Sequence, residues 1–206
     1  VTGNSGNIHM GTGVATAGRG GMVLISVGSG TSSVGGMVQA HAGRSTVHTG
    51  GAVVVTSGEG TATSSGVVLI RSSNSGEAGV SGSLLFSSGT SVTGNSGRVH
   101  MGTGAATAGR GGAVVVTVGS GTSGSGGLVQ AHAGRSTVHT GGEVHVSSGE
   151  GTATSSGAIT IRSVNAGAAG TSGYLSFSSG SSVTGNSGYI HMGTGVATAG
   201  RGGMVL

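Results

Sequence analysis

The chain has no cysteine, no proline and no tryptophan, and its 206 residues include neither aspartate nor lysine. Without cysteine there is no disulfide framework, and the composition fits any redox compartment. Without aspartate, the Asp-based loops of calcium-binding β-rolls are excluded, because they need a repeated carboxylate and carbonyl cage. Aromatic residues are limited to Phe86, Phe177, Tyr174 and Tyr189, too few for a conventional globular core. Charge is sparse: eight Arg and four Glu give a net +4. The arginines are single and scattered, with no basic run and no interleaved aromatics, so no nucleic-acid partner is expected. No apolar stretch approaches the ~20 residues that cross a bilayer, so no membrane insertion is expected.

What remains is glycine, 50 residues of it, with Ser, Thr, Val and Ala. Low charge and abundant valine differ from the composition of ordinary disordered segments. Glycine does not fall at every third position, which excludes a collagen helix. Glycine every few residues also excludes long α-helices.

Internal repetition organises the rest. VTGNSG begins at Val1, Val92 and Val183, a period of 91 residues. The reading is a first repeat at 1–91, a second at 92–182 and the start of a third at 183–206, forming one continuous rod. Val1 opens inside a module and 204–206 begin another, as expected of a window on a longer array. Inside each repeat, closing glycines at Gly6, Gly21, Gly36, Gly51, Gly66, Gly82 and Gly97 mark six modules. Five have fifteen residues and the fifth, 67–82, has sixteen. Residues 37–51, MVQAHAGRSTVHTGG, return at 128–142 with only Met37 changed, to Leu128.

Each module starts with alternating residues. The second and fourth are apolar: Val23 and Ile25, Val53 and Val55, Val68 and Ile70, Leu84 and Phe86. Such alternation predicts a strand with one buried face. A glycine at the seventh position predicts a corner with positive φ. A shorter second run and a Gly-Gly or Ser-Gly close follow. The pattern predicts an all-β, flattened parallel β-solenoid, with about 15 residues and two short strands per rung. Six rungs stacked at about 4.8 Å would advance about 29 Å per repeat. The two repeats differ at 23 of 91 positions, and 12 of these are first, third or fifth residues of a module. That bias supports an outward assignment for those positions.

Little in the chain suggests catalysis. Glu59, Glu77, Glu143 and Glu150 are its only carboxylates. Glu59 and Glu150 are equivalent corners of different repeats and do not pair, as glycoside hydrolysis would require. Neither an enzyme nor a cofactor is expected. The eight histidines recur mainly by repetition. His132 and His145, in adjacent modules, could approach diagonally, but the reading preferred is solvent-facing imidazoles with no metal site.

Two surface features stand out. One is an outward apolar row, Met22, Leu24, Met37, Val54, Val67, Leu69 and Leu85, suited to lateral contact. Within 37–51 the outward Gln39, His41, Arg44 and His48 are unchanged at Gln130, His132, Arg135 and His139. These residues are the candidates for a lateral interface. The other feature is a threonine column: Thr16, Thr31, Thr46, Thr61, Thr107, Thr122, Thr137 and Thr152. It resembles the TxT array of hyperactive insect antifreeze proteins, though only 61–63 and 152–154 are literal TxT. Packing of β-branched Thr toward the interior is the reading preferred for it.

The strings GAVVVTSGEGTATSSG at 51–66 and GEVHVSSGEGTATSSG at 142–157 resemble the Gly/Ser/Thr-rich β-solenoid arrays of very large extracellular and cell-surface proteins of algae and protists. The resemblance covers the whole chain, implies a surface or extracellular filament component, and carries no catalytic residues. The function expected is a rigid extracellular fibre whose partner is another copy of itself, with a glycan or surface as a further contact. The alternative is a ligand-binding solenoid, either ice-binding or a carbohydrate-binding adhesin stalk.

Overall fold

The computed structural model describes residues 3–206, and among them there is no helix and no strand. The expected flattened β-solenoid, with two strands per rung and six stacked rungs per repeat, is therefore overturned. So is the fold that the resemblance implied. The chain is built instead of low-complexity modules that are extended, bent and closed locally. They are grouped in two units, Val1–Met101 and Gly102–Leu206.

Every module carries one bend. The bends fall at 16–18, 31–33, 46–48, 61–63, 77–79 and 92–94, again at 107–109, 122–124, 137–139, 152–154, 168–170 and 183–185, and in the third repeat at 198–200. In the fifteen-residue modules they occupy the tenth to twelfth positions. In the sixteen-residue modules the extra residue lies ahead of the bend, which moves one position later.

After the bend the chain returns to its own first half. The N–H of the closing glycine donates to the carbonyl of the seventh-position glycine: Gly36 to Gly28 at 3.1 Å, Gly51 to Gly43 at 2.8 Å and Gly66 to Gly58 at 2.9 Å. The second repeat does the same with Gly127 to Gly119 at 3.4 Å, Gly142 to Gly134 at 2.8 Å and Gly157 to Gly149 at 2.9 Å. In 7–21 and 98–112 a side chain takes over: the hydroxyls of Thr12 and Thr103 donate to the carbonyls of Gly21 and Gly112, both at 3.3 Å. All hydrogen bonds among the described residues stay within a single module. A ladder from rung to rung, which a solenoid requires, is absent there.

Glycine is needed at two places, and neither is the expected one. Seventh-position glycines have open space around them, and Gly3 is the only described residue with a positive φ. The first requirement is at the close. A Cβ on Gly21 would lie 2.8 Å from Thr12 Cβ, and one on Gly142 would lie 3.0 Å from Gly134 N. The second is at the ninth position of the second and fourth modules of each repeat, where a Cβ on Gly30, Gly60, Gly121 or Gly151 would strike the carbonyl oxygen of Ser33, Ser64, Gly124 or Ser155. Glycine here permits close backbone approach, not left-handed geometry.

The alternation of the first half survives in weakened form. Along Val67, Val68, Leu69 and Ile70 the fractional exposure runs 87, 47, 73 and 58%. The second and fourth side chains do lean toward the returning segment, but nothing closes over them. No residue among those described is buried. Only Ser45, Gly60 and Gly151 lose more than about two thirds of their accessible surface, and all three sit at the ninth position just ahead of a bend.

The accessible surface is 20644 Å². A compactly folded chain of this mass would expose about 8,400 Å², and a fully unfolded one about 27,500 Å². The burial that stabilises an ordinary domain is mostly missing. The returning half explains why: it offers Gly, Ser and Thr where a facing layer would need Val or Leu. Ordering each residue costs about 1–2 kcal/mol, most for glycine. One closing hydrogen bond returns about 1 kcal/mol.

Two outcomes follow. Heating the dilute 206-residue chain should change its far-ultraviolet circular dichroism gradually, and a sharp sigmoidal transition would contradict this description. Gly60→Ala should abolish the Gly66-to-Gly58 bond, worth about 1 kcal/mol, whereas Gly58→Ala should retain it. The temperature coefficient of the Gly66 amide proton distinguishes the two.

Candidate functional site

The residues singled out in the sequence fall on two parts of the module. The apolar candidates Met22, Leu24, Met37, Val54, Leu69 and Leu85 stand on the extended first half, each between 71 and 81% exposed. They are first- or third-position residues, pointing away from the returning segment. Gln39, His41, Arg44 and His48, with Gln130, His132, Arg135 and His139, are exposed as well. Of these side chains only Gln39 makes a hydrogen bond, its Nε2 donating to Met37 Sδ at 3.3 Å.

The threonine column has a definite place. Thr16, Thr31, Thr46, Thr61, Thr107, Thr122, Thr137 and Thr152 are each the first residue of a bend. All eight are exposed, so the inward packing preferred for them does not occur. Their spacing along the chain is that of the bends.

Constancy of 37–51 between repeats has a local cause at one position. The hydroxyl oxygen of Ser45 accepts from the N–H of His48 at 2.8 Å and of Val47 at 3.4 Å. Ser136 does the same for His139 at 2.9 Å and Val138 at 3.4 Å. A side-chain acceptor at the start of a bend is a local turn device. Ser91 and Ser182 repeat it, each taking the N–H of Gly94 or Gly185 at 3.1 Å. His48 and His139 thus serve the bend through their backbone, leaving the imidazoles free.

Ser45, Ser91, Ser136 and Ser182 were not among the sequence candidates, and neither were Gly60 and Gly151. A signal was present. The ninth position is Ser in 37–51 and 83–97, and Gly in 22–36 and 52–66. Ser holds the bend with a hydroxyl; Gly lets the backbone hold it by close approach. The alternation was legible, but its meaning needed the position of the bend.

The longer fifth module has one open hollow, of about 190 Å³, lined by Arg71, Ser72, Ser73 and Asn74. It lies in the stretch lengthened by the extra residue. One guanidinium, two hydroxyls and a carboxamide could meet a small anionic or polar group. The second repeat has Val164 in place of Ser73, so the lining is not reproduced.

No group of three or more His or Glu gathers among the described residues. His132 and His145 are both exposed and belong to no such group. Among the described residues, no helix is long and apolar enough to cross a membrane.

Ser45→Ala should free the His48 amide and loosen the bend at 46–48 by about 0.5–1 kcal/mol, while Ser45→Thr retains an acceptor. The His48 amide shift and its temperature dependence report the difference. An unchanged amide in Ser45→Ala would refute the capping role.

No protein-family model, no curated protein and no solved structure matches this chain.

Proposed function

We propose that this chain is a structural protein that works by associating with copies of itself, as a component of a filament or coat outside the cell or at its surface. The observation that carries this reading is the exposed apolar row on the extended half of the modules. Monomeric soluble proteins rarely leave large contiguous apolar surface uncovered. Here a single chain has no layer with which to cover it. Association supplies the missing burial without any new residue type.

Composition supports the same reading. Low charge limits repulsion between copies, and a repeating module offers the same contact many times. Weak contacts then add along the chain by multivalency. The extracellular placement rests on the likeness of 51–66 and 142–157 to Gly/Ser/Thr-rich surface arrays.

A second reading, binding of ice or a carbohydrate surface, draws on the eight exposed column threonines at a regular module spacing. Ice-recrystallisation inhibition by the monomeric chain, undiminished where association is prevented by dilution, would favour it over the first.

Raising the concentration of the purified 206-residue chain should produce assemblies seen by sedimentation velocity and electron microscopy. Ammonium sulfate should lower the threshold several-fold, because it strengthens apolar burial. A chain that stays monomeric under all these conditions would sink the structural reading.

A further inference from the structure

The apolar runs of the modules are not equivalent, and one pair differs from the rest. Residues 22–27 read MVLISV and their counterparts at 113–118 read AVVVTV. Both copies are apolar at the first, second, third, fourth and sixth positions of the module. Elsewhere the second repeat interrupts the run: Ala52 and Val54 become Glu143 and His145, Leu69 becomes Thr160, and Leu85 becomes Ser176. The substitutions within 22–27, by contrast, keep both faces apolar (Met22 to Ala113, Leu24 to Val115, Ile25 to Val116).

A second distinction lies at the sixth position, which meets the closing glycine in the other modules as well. The sixth residue of these modules is Val27 or Val118, where the others carry Thr, Ala or Ser. It rests on the closing glycine: a Cβ on Gly36 would lie 3.1 Å from Val27 Cβ, and one on Gly127 would strike Val118 Cγ1. The loop closed by Gly36 and Gly28, or by Gly127 and Gly119, thus holds the run extended with its other side chains exposed. Leu24 is 74% exposed and Val115 76%. No hydrogen bond among the described residues uses the backbone of 22–27 or 113–118.

Nothing nearby opposes pairing. The flanking charged residues are Arg19 and Arg44 around the first run, and Arg110 and Arg135 around the second. The runs lack proline and glycine and are rich in β-branched residues. Within the runs there is no charge or proline to keep extended apolar chain apart.

We infer that 22–27 and 113–118 are the self-recognition segments of this protein, each pairing backbone to backbone with the same kind of run in a second copy. The occupant follows from the chemistry. Free N–H and C=O groups at extended-chain spacing are matched by another extended chain, and the apolar side chains on both faces are matched by like side chains. Association in this way satisfies the backbone and buries the side chains together. This inference rests on the self-association reading and locates it.

The test uses the 206-residue chain and two double variants. Leu24→Lys with Val115→Lys places a charge in each run. Val34→Lys with Ser125→Lys places the same charges in the same modules but outside the runs. All four positions are exposed, so no folded core is disturbed. The first variant should raise the assembly threshold at least tenfold, and the second should assemble within about twofold of the parent. Hydrogen exchange on the assembled parent should show protection concentrated at 22–27 and 113–118. If the parent assembles and the first variant assembles equally well, or protection lies elsewhere, the assignment of the segments is overturned while self-association stands. If the parent never assembles, both fall.

Discussion

The closing hydrogen bond between two glycines is the constraint on which the rest of the structure depends. In the second, third and fourth modules of each repeat it ties the fifteenth residue to the seventh, and so turns an otherwise featureless chain into discrete loops. At several of these closes the bare glycine leaves little room for a side chain. A Cβ at Gly142 would stand 3.0 Å from the nitrogen of Gly134. One atom of bulk at that point would require the facing backbone to give by a few tenths of an ångström. The first module of each repeat makes its closing contact with a threonine hydroxyl, and among the described residues the fifth and sixth modules form no closing hydrogen bond.

Closure has a consequence for the apolar residues. With the backbone returning directly after a three-residue bend, the second half of each module is too small and too polar to cover the first. Val23, Val53 and Val68 turn toward it and remain about half exposed. The least exposed places are Ser45, Gly60 and Gly151, which are turn residues. The module is therefore organised by its bend, with the apolar side chains left as surface. A protein arranged in this way gains stability by meeting something else, and the residues that would do the meeting are already displayed.

Much of this was legible in the sequence, and the reason lies in what repetition preserves. The 91-residue period, the fifteen-residue module and the extra residue of 67–82 could all be read from glycine spacing, since close approach admits no other residue. The alternation of Val67, Val68, Leu69 and Ile70 was legible too, and it persists as a difference in exposure. The threonine column was visible as a column, but its place as the opening residue of the bends in the first four modules of each repeat was not, because threonine itself has no strong tie to a bend. Ser45 and Ser91 were overlooked for a related reason. In a chain so rich in serine, only the location of the bend distinguishes a serine that accepts from the bend's backbone N–H groups from one that does not.

By itself, then, the sequence determined the period, the module, the closing glycines and the alternation along runs such as 67–70. These are local properties, set by sterics over a few residues. Whether successive modules pair with one another was decided only at the tertiary level. Alternating valines are equally compatible with a buried face and with a bare one. The outcome depends on whether a facing layer exists, and the glycine, serine and threonine of the returning half do not make one. Six modules close on themselves through a backbone bond and two through a threonine hydroxyl, and the apolar face that a solenoid would have buried is left on the outside.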